Sequence, residues 1–239
     1  GIIKKNTPVI SSVQHKEVME ILSNRAKSLN TKIIMSRNPE KIIVDLFSTR
    51  FVLDNKIFST PLLGKHQAEN AALAIKAARV FNSKLNYNII SDGLNNTIWP
   101  GRFQLLDKKL PIFYDVAHNQ AGINSIRNTL KYLNAHTTVG LIILKDDKDI
   151  DSIAHCLNGL FNELIVSTVP NSQLMGINEL FQYLKHNNIK CKMVDPIEKA
   201  FKYITNQADA GVTGIIFGSH YAAKSIYKFF GINFDNVSI

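Results

Sequence analysis

Ile112-Phe113-Tyr114-Asp115-Val116-Ala117-His118-Asn119 is the stretch on which the reading of this chain turns. Its short apolar run predicts a strand buried in a sheet, and the run stops abruptly at Asp-x-x-His-Asn. A strand needs no carboxylate, imidazole and carboxamide at its exit, whereas a site handling phosphate and an amine uses each of them. A few residues upstream, Trp99-Pro100-Gly101-Arg102-Phe103 sets an arginine on a Pro-Gly turn.

Beyond Arg102 the same pattern repeats. Apolar strands are predicted at Ile112–Tyr114, Val139–Leu144, Leu164–Ser167, Lys192–Val194 and Gly214–Phe217. Helical patterns follow them, near Gly122–Leu133, Ile150–Phe161, Ile177–His186, Ile197–Asn206 and Ala222–Phe229. Strands alternating with helices imply an α/β fold with a mostly parallel sheet covered on both faces. With right-handed crossovers this is a Rossmann-like, doubly wound domain.

Upstream the organisation differs. Pro8–Val13 reads as a strand and His15–Asn30 as a helix with Val18, Ile21, Leu22, Ala26 and Leu29 on one face. Short β-rich pieces follow from Thr31 to Leu63, then an alanine-rich helix from His66 to Phe81 and a shorter one from Asn88 to Asn96. This portion lacks obvious closure and reads as incomplete. The expected domains are therefore residues 1–101 and 102–239.

Length and composition, 239 residues with 45% hydrophobic and 20% charged, are those of a globular protein with ample core. The net charge of +9 points to anionic partners, but the lysines are scattered. No zinc-finger spacing, aromatic-basic RNA motif or heptad repeat is present, so a nucleotide or a polyanionic small substrate is expected rather than nucleic acid. The most apolar runs fall far short of the ~20 residues of a membrane span, and Cys156 and Cys191 read as reduced thiols. A cytoplasmic protein without membrane contact is expected.

Ligands of open α/β sheets bind outside the carboxyl ends of the strands. Three predicted strands end there in polar groups: Asp115-x-x-His118-Asn119, Lys145-Asp146-Asp147-Lys148-Asp149 and Gly218-Ser219-His220-Tyr221. Each has a plainer reading: Asp115 and Asp149 as helix caps, His118 as a structural hydrogen-bonding residue, Ser219 as a helix start. Arg102 suits phosphate, because its planar fork engages two oxygens at once, and an interdomain salt bridge is the alternative. In the upstream half, His66 and Asn70 share a helical face, and an asparagine buried among alanines calls for a specific partner such as a base or a backbone group. Neither G-x-x-x-x-G-K-[ST] nor G-x-G-x-x-G occurs, so any ATP phosphate cradle lies outside this sequence.

Together these motifs resemble the C-terminal half of folylpolyglutamate synthase / dihydrofolate synthase, in the Mur ligase superfamily. The matching stretches are Gly1-Ile2-Ile3-Lys4, His66-Gln67-x-x-Asn70-Ala71-Ala72, Pro100-Gly101-Arg102-Phe103, Asp115-x-Ala117-His118-Asn119, Asp147-Lys148-Asp149 and Gly218-Ser219, in the family's order. Where the family usually has proline after Asn119, this chain has Gln120, which should alter the turn and not the ligands.

The resemblance implies a truncated ATP-binding central domain of Mur-ligase type followed by a Rossmann-like C-terminal domain. It also implies a fragment of a longer enzyme, without the P-loop, a carboxylated lysine, most Mg2+ ligands and the folate-binding surface. The implied activity is ATP-dependent addition of L-glutamate to folate, and in some members to dihydropteroate, through an acyl phosphate. Asn70, Arg102 and Asp115 would then contact ATP at the base, the phosphates and the ribose side. His118 and Ser219 would face the glutamate and the acyl phosphate, with Lys148 as an electrostatic participant. Another Mur-type ligase, and a non-catalytic nucleotide-binding module, are the alternatives. The fragment alone is expected to be inactive and to bind ATP weakly.

Overall fold

The computed structural model describes residues 1–171 and 173–233. The chain divides into two compact units, one of Gly1–Val44, Ser48–Pro61 and Lys65–Ile98, the other of Asp45–Phe47, Leu62–Gly64 and Trp99–Ile239. The division falls three residues before the break anticipated from sequence, so the Trp99–Gly101 turn goes with the second unit.

In the first unit, β1 (Val9–Ser11) and β2 (Ile33–Met35) are parallel and joined through α1 (Lys16–Ser28). A separate antiparallel meander consists of β3 (Glu40–Val44), β4 (Thr49–Leu53) and β5 (Lys56–Thr60). Two helices follow, α2 (Lys65–Phe81) and α3 (Tyr87–Asn95). Small side chains on α2 (Ala68, Ala71, Ala72) let it approach the meander closely, and Phe51, Leu53, Phe58, Ile75 and Ile90 fill that core. The helix expected over His15–Asn30, with Val18, Ile21, Leu22, Ala26 and Leu29 on one face, is α1. Of those residues only Ala26 is buried, while Val18 and Ile21 are exposed.

The second unit holds β6 (Gln104–Leu105), β7 (Ile112–Asp115), α4 (Gln120–Tyr132), β8 (Thr138–Ile142) and α5 (Ile150–Leu157). It continues through β9 (Glu163–Val166), α6 (Ile177–His186), β10 (Lys192–Met193), α7 (Ile197–Asp209), β11 (Thr213–Phe217) and α8 (Ala223–Phe230). One six-stranded sheet runs β10-β9-β8-β11-β7-β6, parallel except for the edge strand β6, which the sequence reading lacked.

The order explains the layers. The chain steps from β7 to β8, β9 and β10 in one direction, then returns to insert β11 between β8 and β7. Right-handed crossovers therefore put α4, α5 and α6 on one face and α7 on the other. Ile112, Tyr114, Val139, Leu141, Ile165 and Ile216 pack with Ile197, Ala200, Phe201 and Ile204 of α7. On the opposite face Phe161 stacks on Phe217, with ring centroids 5.3 Å apart, and sits over Gly140. Among the described residues no helix is long and apolar enough to cross a membrane.

Gly218 ends β11 at φ +116°, and a β-carbon there would lie 2.3 Å from the Ile143 carbonyl oxygen. Gly211 also has positive φ (+87°) but open space around it. In urea unfolding, Gly218→Ala is expected to cost more than ~3 kcal/mol and Gly211→Ala only about 1 kcal/mol. Equal losses would contradict the close approach.

Candidate functional site

The carboxyl ends of β7, β11 and β8 are neighbours, with Asp115, Phe217 and Ile142 at matched register positions. Residues far apart in sequence therefore leave the sheet side by side. The Gly218 N–H donates to the Asp115 carbonyl oxygen (3.3 Å), and the Tyr114 hydroxyl donates to the Ser219 carbonyl oxygen (2.8 Å).

Asp115 is the hub of this edge. One carboxylate oxygen accepts the Phe103 N–H (2.8 Å) and the other the Ala117 N–H (2.7 Å). It thus ties the Arg102 turn to the end of β7 and leaves the capping of α4 to Asn119, which accepts from Gly122 N–H at 2.8 Å. Burial pushes the Asp115 carboxyl up to about 6, against the opposing pull of the two N–H groups, Arg102 and His118.

The turn itself is backbone-strained. Gly101 has φ +70° with Val116 and Tyr114 packed where a β-carbon would be, and Phe103, not a glycine, has φ +45°. Its neighbour Arg102 is exposed, its guanidinium 6.0 Å from the Trp99 ring, the one tryptophan of the chain. Its charge is close enough to bias Asp115 and Tyr114.

His118 Nδ1 lies 2.8 Å from the Val116 carbonyl oxygen. A carbonyl only accepts, so Nδ1 carries a proton, and a ring with one proton has its lone pair on Nε2. Ser219 is buried, and its hydroxyl oxygen accepts the Tyr221 N–H (3.2 Å) at the start of a 3-10 turn, His220–Ala222.

On the β8 exit, Lys148 is held by Asp147 at 3.0 Å, and Asp147 also binds Lys145 at 2.6 Å. The two ammonium groups, Lys145 foremost, hold the Asp147 carboxyl below its ordinary value. Asp149 caps α5, accepting from Ser152 N–H and Oγ–H.

Asn70 lies in the first unit and is a correction. Rather than being buried among alanines it is exposed, and its amide donates to Gln67 Oε1 at 3.2 Å. The alanines of α2 turn toward the core, and Asn70 lines a cleft of ≈ 300 Å³ with Ser12, Asn38 and Glu69. The structure thus groups Arg102, Asp115, His118 and Ser219 at one sheet edge. Sequence reading missed Gln104, Tyr114 and Tyr227, which brace that edge. A polar tip inside the apolar run at Tyr114 was the available signal.

No family model matches the chain. The Bacillus subtilis dihydrofolate synthase/folylpolyglutamate synthase is 28% identical over 95% of this chain and 56% of its own length. Its relatives are folylpolyglutamate and dihydrofolate synthases. The fold agrees with solved structures of that group. The Mycobacterium tuberculosis folylpolyglutamate synthase complexed with ADP and AMPPCP superposes with a TM-score of 0.84 at 22% identity, over 95% of this chain and 56% of that one. The Thermotoga maritima folylpolyglutamate synthase gives 0.79 at 24% identity, over 98% and 57%. The chain spans just over half the length of each.

Because burial raises the Asp115 pKa, the folded state holds this proton more tightly than the unfolded chain, whose carboxyl titrates near 3.8. The stabilisation is complete below that value and is lost as pH rises through about 6. Relative to Asp115→Asn, the wild-type unfolding free energy is expected to fall by up to ~3 kcal/mol between pH 4 and 7. A flat or rising difference in denaturant titrations would refute this.

Proposed function

We propose that the chain is part of a longer ATP-dependent carboxylate–amine ligase that adds L-glutamate to folate or dihydropteroate in the cytoplasm. The first unit is read as part of the nucleotide-binding central domain and the second as the C-terminal domain. The supporting observation is that residues picked out by motif converge at one sheet edge, Asp115, His118 and Ser219 at adjacent strand exits and Arg102 on the turn tied to Asp115.

In this reading ATP first phosphorylates the acceptor carboxylate, with ADP leaving. The glutamate amine then attacks the acyl carbon, expelling phosphate as the amide forms. Arg102, exposed on a rigid turn, offsets charge on the transferring phosphoryl group. Asp115 anchors that turn, and each of its oxygens keeps a second lone pair for a ribose hydroxyl. His118 presents the Nε2 lone pair that takes a proton from the incoming ammonium. Ser219 lies beside the acyl phosphate, Lys148 supplies positive potential, and Asn70 contacts the base. Among the described residues no three His, Cys, Asp or Glu side chains are grouped to hold a metal.

The test is glutamate ligation by the full-length enzyme. Arg102→Ala is expected to lower kcat by at least ~100-fold, the scale of losing one preorganised charge at a phosphoryl transition state. Wild-type turnover would sink the assignment. This chain alone, without a glycine-rich phosphate loop, is expected to bind ATP more weakly than micromolar by calorimetry.

A further inference from the structure

Arg102 is exposed at its guanidinium end, near the Trp99 ring, and held at its backbone. The residue before it, Gly101, is held at both of its backbone polar groups. The Gly101 N–H donates to Gln104 Oε1 (2.9 Å), and the Gly101 carbonyl oxygen accepts the Val116 N–H (2.9 Å). The peptide after it is held by the Phe103 N–H on Asp115.

Gln104 Oε1 takes a second hydrogen bond, from the Tyr227 hydroxyl of α8 at 2.9 Å. One amide oxygen thus links the turn to a helix more than a hundred residues later. The Tyr227 ring meets Tyr114 edge-on, with centroids 5.8 Å apart, and Tyr114 in turn bonds the Ser219 carbonyl oxygen. Burial pushes the Tyr227 hydroxyl up to about 12 and raises Tyr114 further, so both remain donors at neutral pH. The Arg102 turn and the Ser219 turn therefore share one chain of contacts: Gly101, Gln104, Tyr227, Tyr114, Ser219.

We propose that Gln104 and Tyr227 are positioning residues that hold the Arg102 turn in register with the Ser219 turn. The proposal rests on the ligase reading, in which Arg102 meets the phosphoryl group. In this role both act through the turn. Gln104 supplies the acceptor that holds the strained Gly101 peptide, and Tyr227 fixes that amide's orientation by occupying its other lone pair. Losing either bond loosens the backbone beneath Arg102 without removing its charge.

The test is a double-mutant cycle in the full-length enzyme, with kcat and KM measured for Tyr227→Phe, Arg102→Ala and the pair. Acrylamide quenching of Trp99, the neighbour of Arg102, is read on the same variants with any tryptophan outside this chain replaced by phenylalanine. Tyr227→Phe is expected to lower kcat ~10-fold, the cost of a small misplacement, with KM for glutamate changed less than about twofold. In the Arg102→Ala background it should cost less than about twofold more, because the two act through one group. Gln104→Glu, which keeps an acceptor oxygen, should retain more turnover than Gln104→Leu.

Wild-type kcat in Tyr227→Phe, or its full cost repeated without Arg102, would overturn the proposal. If Arg102→Ala alone is silent, the phosphate assignment fails instead. The positioning claim is then decided by Trp99: increased quenching in Tyr227→Phe supports it, and unchanged quenching overturns it.

Discussion

The edge of the second unit depends on a carboxylate that the fold takes out of water. Ionised Asp115 would be costly there, and two backbone N–H groups with the nearby charge of Arg102 only partly offset the cost. What the molecule gains is geometry. Phe103, a non-glycine residue at positive φ, is held there by its N–H on Asp115 and by its ring against Phe113, centroids 4.7 Å apart. The turn that carries Arg102 is thereby welded to the end of β7.

The other half of the edge comes from topology. Since β11 returns between β8 and β7, its exit turn lies against theirs, and Gly218 is the residue that lets the backbones close to that distance. Asp115 and Ser219 are brought to one place by strand order rather than by any sequence proximity. Such an edge can present a cation, a proton acceptor and backbone polar groups to one ligand. An ordinary crossover, with β11 added at an outer edge, would separate them.

Much of this was legible in the amino-acid order. Runs such as Val139–Leu144 and Gly214–Phe217 are too short for helices and too apolar for loops, and the helices between them fix a parallel sheet. The polar exits stood out because polarity is unexpected there. Other features carried no local signal. Strand β6 is two residues long, and its antiparallel pairing with β7 follows from the turn between them, where the Asp107 carboxylate accepts the Lys109 and Leu110 N–H groups. The Gln104–Tyr227 contact spans 123 positions, beyond any periodicity. Asn70 misled because alanines flank it in sequence, yet in a helix its immediate neighbours point elsewhere. The periodicity of α1 was real, but periodicity reports a face and not what covers it.

The most direct test of the account is where a nucleotide touches the second unit. In a 15N–1H correlation spectrum of this chain titrated with millimolar ATP, shifts are expected at Arg102, Phe103, Asp115, His118 and Ser219–Tyr221, with Trp99 Nε1–H moving alongside. Shifts confined to the opposite sheet edge, around Thr138 and Asn162, or none at the Asp115 edge, would contradict it.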